Sequence, residues 1–205
     1  MLETLWTIQA ETAYERFQKT GLLRADPDHL LFDGDFRDAY EWMAAQMRKR
    51  IGPAPEGVAY PVWAWYQWEG KRKRMDLRCS GYAKRGTPMV QITFEADRRD
   101  FLLSEFDSWH SVLGNWYIAD NEQDWDAFLA DKDRRSGEIV PSWDKIFDLN
   151  RYTPDWDTEP ENQSVQATLW EIRMSQVKKW SISLQSEKTE VSSCSKPNAP
   201  ELPPG

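Results

Sequence analysis

The chain has 205 residues and a formal net charge of −8, and its mean hydropathy is −0.76. These values suit one soluble globular domain and exclude a membrane helix, because no span approaches the roughly 18 apolar residues that one needs. The start MLETLW lacks the basic residues of a signal peptide, so we expect a cytoplasmic protein without membrane contact. Two cysteines, Cys79 and Cys194, predict neither a disulfide framework nor a zinc site.

The first half of the chain predicts two helices and three strands. LWTIQ at 5–9 reads as a strand, and 10–20 as a helix ended by a glycine. Apolar residues at helical spacing predict a second helix at 36–50. Two further strands are expected at 62–68 and at 89–96, where apolar and polar residues alternate.

The second half predicts three helices within 106–147 and a late strand at 164–173. This order of elements indicates an α+β fold, with a small mixed or antiparallel sheet and flanking helices. Residues 1–180 are expected to form one globular domain. Residues 181–205 are rich in Ser, Glu and Pro, which predicts a disordered polar tail.

The segment 60–85, YPVWAWYQWEGKRKRMDLRCSGYAKR, combines aromatic and basic residues in an otherwise acidic chain. Basic side chains neutralise phosphates and aromatic faces stack on bases, so the segment predicts nucleic-acid or nucleotide binding. The expected contacts are basic residues from its middle: Lys71, Arg72, Lys73, Arg74 and Arg78. The structural alternative is a solvated loop that joins two strands.

Strand periodicity divides the aromatic part of this segment between two faces. Trp63, Trp65 and Gln67 are expected on one face, and Tyr66 and Trp68 on the other. One face would be core and the other a groove wall, and the sequence leaves open which is which.

Motifs for common chemistry are missing from the sequence. It contains no GxGxxG, no phosphate loop and no HExxH, and only two histidines, so we expect no metal. Asp107, Ser108 and His110 have the residue types of a hydrolase triad. Neighbours on one helix point in different directions, however, and cannot align as nucleophile, base and orienting acid.

Four segments carry a resemblance to known proteins: LWTIQ, YPVWAWYQWEG, FLLSEFDSWHSVLGNWYI and QATLWEI, in that order. Through these segments, residues 5–173 are similar to a bacterial family catalogued as domain of unknown function 3841. This resemblance does not indicate any particular activity. More distantly, the order of segments resembles the DNA-modifying ADP-ribosyltransferase toxins. In those toxins, a first strand leads to a helix that ends in a Gly-Leu-Leu type turn. A Pro-aromatic strand and a basic stretch follow, and then a helix that begins with Ser-x-x-Asp and a strand that contains Gln-Ala.

The second resemblance implies an ADP-ribosyltransferase-like fold that binds NAD as substrate and modifies a nucleic acid or a protein, in a toxin or phage-defence setting. It places the nicotinamide-side position at Thr7, with Trp6 and Gln9 beside it. Trp65 or Tyr66 would stack on the nicotinamide ring.

The same resemblance places the catalytic glutamate of those toxins at Thr168, two residues after Gln166. Threonine keeps a hydrogen bond but supplies no negative charge for an oxocarbenium-like transition state. Glu171 or Glu95 would then be the acid. Because side chains alternate along a strand, positions 168 and 171 face opposite sides unless a bulge intervenes.

Three functions are therefore open. The first is NAD-dependent ADP-ribosyl transfer. The second is a catalytically inactive module that binds nucleic acid or nucleotides through the tryptophan strand and the basic segment. The third is a protein-interaction module for a cognate partner, in which exposed tryptophans anchor the interface.

Overall fold

The computed structural model describes residues 1–26, 36–75, 86–154 and 157–184. Within these ranges, eight strands are present: β1 (Leu2–Ala10), β2 (Leu22–Leu23), β3 (Val62–Gln67), β4 (Pro88–Asp97), β5 (Phe101–Glu105), β6 (Val165–Leu169), β7 (Ile172–Arg173) and β8 (Val177–Leu184). Six of them form an antiparallel sheet in the order β5-β6-β3-β1-β4-β8, and β2 pairs with β7. The predicted α+β fold with an antiparallel sheet is confirmed.

Helices connect and cover these strands: α1 (Glu11–Thr20), α2 (Arg37–Arg50), α3 (Phe106–Leu113), α4 (Glu122–Ala130), α5 (Lys132–Arg135) and α6 (Ile139–Ser142). Helix α1 ends at Thr20 and is capped by Gly21, whose φ of 74° glycine adopts without strain and whose N–H donates to the Phe17 carbonyl over 2.8 Å. No helix in the described part of the chain is long and apolar enough to cross a membrane.

The two faces of the large sheet differ in character. One, here called the core face, carries the main apolar cluster and packs on α1 through Tyr14 and Phe17. The other, here called the aromatic face, is covered in part by α2 and α3. Met43 and Trp109 pack there with Trp63, in a second apolar cluster. Burial of such surface stabilises by about 25 cal/mol per Å².

The predicted strand at 164–173 is wrong in its extent. Strand β6 ends at Leu169, and after a bend the chain forms β7, which leaves the large sheet and pairs with β2. Strands β5 and β8 were not predicted. Strand β8 runs to Leu184 along β4 and so extends past the predicted boundary at 181; the remainder of the predicted tail lies outside the described residues.

A bulge in β3 also corrects the predicted faces of the aromatic strand. Trp65 lies opposite Gln166, but Gln67 lies opposite Val165, the preceding residue. This shift moves Trp68 to the face of Trp65, where the two ring centroids are 4.8 Å apart. Trp68 therefore shares the face of Trp65, contrary to strict alternation.

Candidate functional site

A row of polar and aromatic side chains crosses the aromatic face on all six strands. Each member lies opposite the next in the register, and opposed residues of antiparallel strands have Cβ atoms about 5 Å apart on one face. This polar-aromatic row consists of Ser104, Gln166, Trp65, Trp6, Thr93 and Lys179.

The row passes from a covered half of the face to a more open half. The apolar clusters built by α2 and α3 include Trp63 of β3 and Leu102 of β5, and Thr168 of β6 contacts Met47 of α2. Among the described residues, those clusters include neither Trp6 nor Ile8, which are half-buried. Lys179, at the end of the row on β8, is exposed. We call the part of this face around Trp6, Thr93 and Lys179 the open half. It does not include Gln91 of β4, which is buried and donates through Nε2 to the Met75 carbonyl over 2.8 Å.

Arg72 borders the open half and holds the chain together there. Its guanidinium donates to the carbonyl of Tyr66, to the Thr4 carbonyl over 2.7 Å and to the Glu3 carboxylate over 3.3 Å. It also lies 3.6 Å from the ring centroid of Tyr66 and 5.4 Å from that of Trp6. Burial lowers its pKa from the usual value. These contacts make Arg72 a clamp between β1 and the end of β3.

The other basic residues lie on a tight turn beside the row. Glu69 and Gly70 have φ of 47° and 69°, and Trp68 and Lys71 exchange two backbone hydrogen bonds of 2.9 and 3.1 Å, as in a two-residue hairpin turn. Lys73 pairs with Glu69 over 2.8 Å.

Lys71 and Arg74 are exposed and form no ion pair with the described residues. Among the four predicted phosphate contacts within the described ranges, these two are exposed without an ion pair to a described residue. Arg78, the fifth predicted contact, lies outside the described residues.

Aromatic rings surround the covered end of the row. The Trp65 ring meets Trp68 at 4.8 Å and Phe106 at 4.9 Å, both edge-on, and His110 meets Phe106 at 4.6 Å. His110 is exposed, and its Nδ1 lies 3.0 Å from the Phe106 carbonyl. A carbonyl only accepts, so a hydrogen bond here requires the proton on Nδ1.

Three buried polar atoms near the row have no hydrogen-bond partner among the described residues. They are the Trp63 Nε1, the Ser104 Oγ and the Gln166 Oε1. Most buried polar atoms in folded proteins are hydrogen-bonded, so three exceptions on neighbouring strands require an explanation. The sequence did not indicate this group, because only the register brings Ser104 to Gln166.

The structure divides the residues that the transferase resemblance implied for NAD. Thr7 is buried on the core face, where it donates to the Trp63 carbonyl and accepts from Gln9, each over 2.8 Å. Trp6 and Trp65 lie opposite each other on the aromatic face. Tyr66 packs against the core-face cluster and under Arg72. Within the described chain these five side chains therefore do not line one pocket.

The implied catalytic residues are also separated. Thr168 is fully buried on the aromatic face, with its Oγ1 3.2 Å from Met47 Sδ and 3.3 Å from the Leu102 carbonyl. Gln166 shares that face. Glu171 follows the strand and pairs with Arg24 over 2.8 Å and Arg173 over 3.1 Å.

The two candidate acids are both ion-paired. Burial alone would raise the pKa of Glu171, but the hydrogen bonds from Arg24 and Arg173 outweigh it and lower that pKa. Glu95 pairs with Lys178 over 2.9 Å. In the described part of the chain, no group of three or more His, Cys, Asp or Glu side chains could hold a metal ion.

One family model matches the chain. It is described as "Domain of unknown function (DUF3841)" and covers residues 4–137, more than half of the 205 residues. No curated protein and no solved structure matches the chain.

Proposed function

We propose that the chain, which belongs to the DUF3841 family, is a binding module for nucleic acid or nucleotides that works through the open half of its aromatic face. The observation that carries the proposal is the polar-aromatic row. It brings half-buried Trp6 into register with Thr93 and exposed Lys179, on a part of the sheet that the described apolar clusters leave out.

The side chains of this surface suit a base and its phosphate. An indole face stacks on any base, and the stacking contributes roughly 1–3 kcal/mol per base. Lys71 and Arg74 lie on the turn segment beside Arg72, which itself touches the Trp6 ring. With a net charge of −8, the chain would otherwise repel polyanions, so a local cationic border is what binding requires.

The test is fluorescence anisotropy with a labelled single-stranded oligonucleotide at several salt concentrations. The informative variant is Lys71→Ala with Arg74→Ala. Arg72 is left unchanged, because its contacts with β1 and β3 stabilise the fold and its loss would affect folding as well as binding. Each lost phosphate contact reduces the steepness of the plot of log affinity against log salt concentration by about 0.7. The slope of the double variant should therefore be shallower than that of the wild type by about 1.4.

The matched control is Lys19→Ala with Lys132→Ala. It removes the same charge from exposed positions on α1 and α5, and its slope should equal that of the wild type. Binding that does not depend on salt, or an equal change in both variants, would contradict the proposal.

NAD-dependent ADP-ribosyl transfer is the second candidate. It is favoured by the adjacency of β1, β3 and β6, the three strands that carry the resemblance, and by a Glu171 carboxylate that stays ionised. Its test is transfer from labelled NAD by the wild type and by Glu171→Gln, with Glu15→Gln at an exposed position of α1 as the matched control. Loss of transfer in Glu171→Gln alone, at unchanged fold, would favour it; no transfer by the wild type would contradict it.

A further inference from the structure

We infer that Trp63 Nε1, Ser104 Oγ and Gln166 Oε1 form the subsite that reads the hydrogen-bonding edge of a nucleobase. The inference rests on the proposed function and deepens it, because it assigns recognition of the base to the covered end of the row. All three atoms are buried and lack partners among the described residues.

The register holds these three groups together on one face. Ser104 on β5 lies directly opposite Gln166 on β6, which lies opposite Trp65 on β3. Trp63 lies opposite Thr168, two residues from Gln166, and is therefore a diagonal neighbour. Diagonal neighbours in a sheet are about 7–8 Å apart, within the span of a planar heterocycle.

A buried hydroxyl elsewhere in the chain shows what an ordinary structural role looks like. Ser142 accepts from the Ile118 N–H over 2.9 Å and donates to the Ile139 carbonyl over 2.6 Å. Ser104 is more deeply buried and has no such partner. Polar groups that weaken a fold in this way are expected mainly at functional sites.

The chemistry of the three groups defines the ligand. An indole N–H only donates, a glutamine carbonyl only accepts, and a serine hydroxyl does both. Their complement is a ligand edge with an acceptor beside a donor, which the edges of nucleobases present in one plane. Trp68 and Phe106, both half-buried, pack edge-on against Trp65, the register neighbour of Gln166, so a turn of either ring would give a ligand access from that side. On the other side, Trp63 packs against Tyr40 and Trp109.

The experiment is isothermal titration calorimetry with AMP, GMP, CMP and UMP, and with ribose 5-phosphate as the ligand without a base. The variants are Ser104→Ala and Gln166→Met, with Ser142→Ala as the matched control. Loss of one hydrogen bond should weaken binding of the preferred nucleotide about 3- to 10-fold in Ser104→Ala and in Gln166→Met, and leave ribose 5-phosphate unaffected.

Thermal unfolding of the same variants supplies the second readout. Ser104→Ala should keep or raise the Tm, because it removes an unsatisfied group, whereas Ser142→Ala should lower the Tm and leave binding unchanged. A Tm loss in Ser104→Ala equal to that of Ser142→Ala would overturn the inference, since the hydroxyl would then be bonded inside the protein. Equal nucleotide affinity of Ser104→Ala and wild type would overturn it as well.

Different results would refute the proposed function and the proposed subsite. If the wild type binds no nucleotide, the binding module itself is refuted, and the subsite with it. If the wild type binds nucleotides but binds ribose 5-phosphate as tightly, binding stands and base reading is refuted.

Discussion

Arg72→Ala should destabilise the fold, although the sequence placed this residue among phosphate contacts. Its guanidinium joins two backbone carbonyls, those of Tyr66 and Thr4, to the Glu3 carboxylate. Hydrogen bonds to a charged group contribute about 1.5–3 kcal/mol when buried. The side chain is 34% exposed, so water replaces part of the loss. We expect a decrease of about 2–3 kcal/mol in the free energy of unfolding.

The assay is urea unfolding at pH 7, with Lys71→Ala as the control. Lys71 is exposed and unpaired with described residues, so its loss should change the free energy of unfolding by less than about 0.5 kcal/mol. Arg72→Lys should recover little stability, because an ammonium cannot reproduce the planar fork or the stacking on Tyr66. Wild-type stability of Arg72→Ala, together with weaker oligonucleotide binding, would refute the clamp and make Arg72 a phosphate contact.

Three further predictions concern Gly70, Glu105 and Thr168. Gly70→Ala should cost about 3 kcal/mol or more in urea unfolding, because its φ is 69° and a Cβ would lie 1.5 Å from the Glu161 carbonyl oxygen; a loss below about 1 kcal/mol would contradict this packing. Burial raises the pKa of Glu105 despite two N–H bonds to its carboxylate, so its stabilising contribution is complete below the unfolded pKa of about 4.3 and is lost as pH rises through the folded pKa. The free energy of unfolding of Glu105→Gln should therefore increase relative to that of the wild type between pH 4 and pH 7.5. A difference between the two proteins that stays constant over this range would contradict the prediction. Thr168→Glu should unfold or lose several kcal/mol in thermal melts, since a carboxylate would be buried against Met47; a stable variant would show that this position reaches solvent.

The sequence predicted the elements with strong periodicity. The helical spacing at 36–50 matches α2, and the alternation at 89–96 matches β4 to within a residue at each end. Strand β5 was missed because its apolar run is short and continuous, which periodicity cannot tell from buried helix. In β8, Trp180, Ile182 and Leu184 do alternate, but the polar composition that follows concealed them.

The candidate site could be predicted only in part, because it depends on register. Trp65 and Gln166 were both singled out from the sequence, yet nothing local shows that they lie opposite each other. The bulge that returns Trp68 to the face of Trp65 is likewise set by pairing with β6. The sequence placed Ser104 only at the start of the Ser-x-x-Asp helix motif, and nothing local showed that its side chain lies opposite Gln166 in a sheet. Its significance comes from a partner that is missing in three dimensions.

The most direct test of the open half as a binding surface is saturation-transfer NMR and calorimetry of Trp6→Leu with a short single-stranded oligonucleotide, because β3 and β6 separate Trp6 from Ser104 and one base cannot occupy both the Trp6 platform and the covered end of the row. The matched control is Trp180→Leu, which removes a tryptophan that is 47% exposed. Trp180 lies on the opposite face of the sheet, because it pairs with Ile92 of the core face and contacts Tyr14 of α1. Loss of a stacking platform should weaken binding roughly 5- to 150-fold in Trp6→Leu and leave Trp180→Leu at wild-type affinity. Wild-type affinity in Trp6→Leu, with the protein folded, would contradict the account.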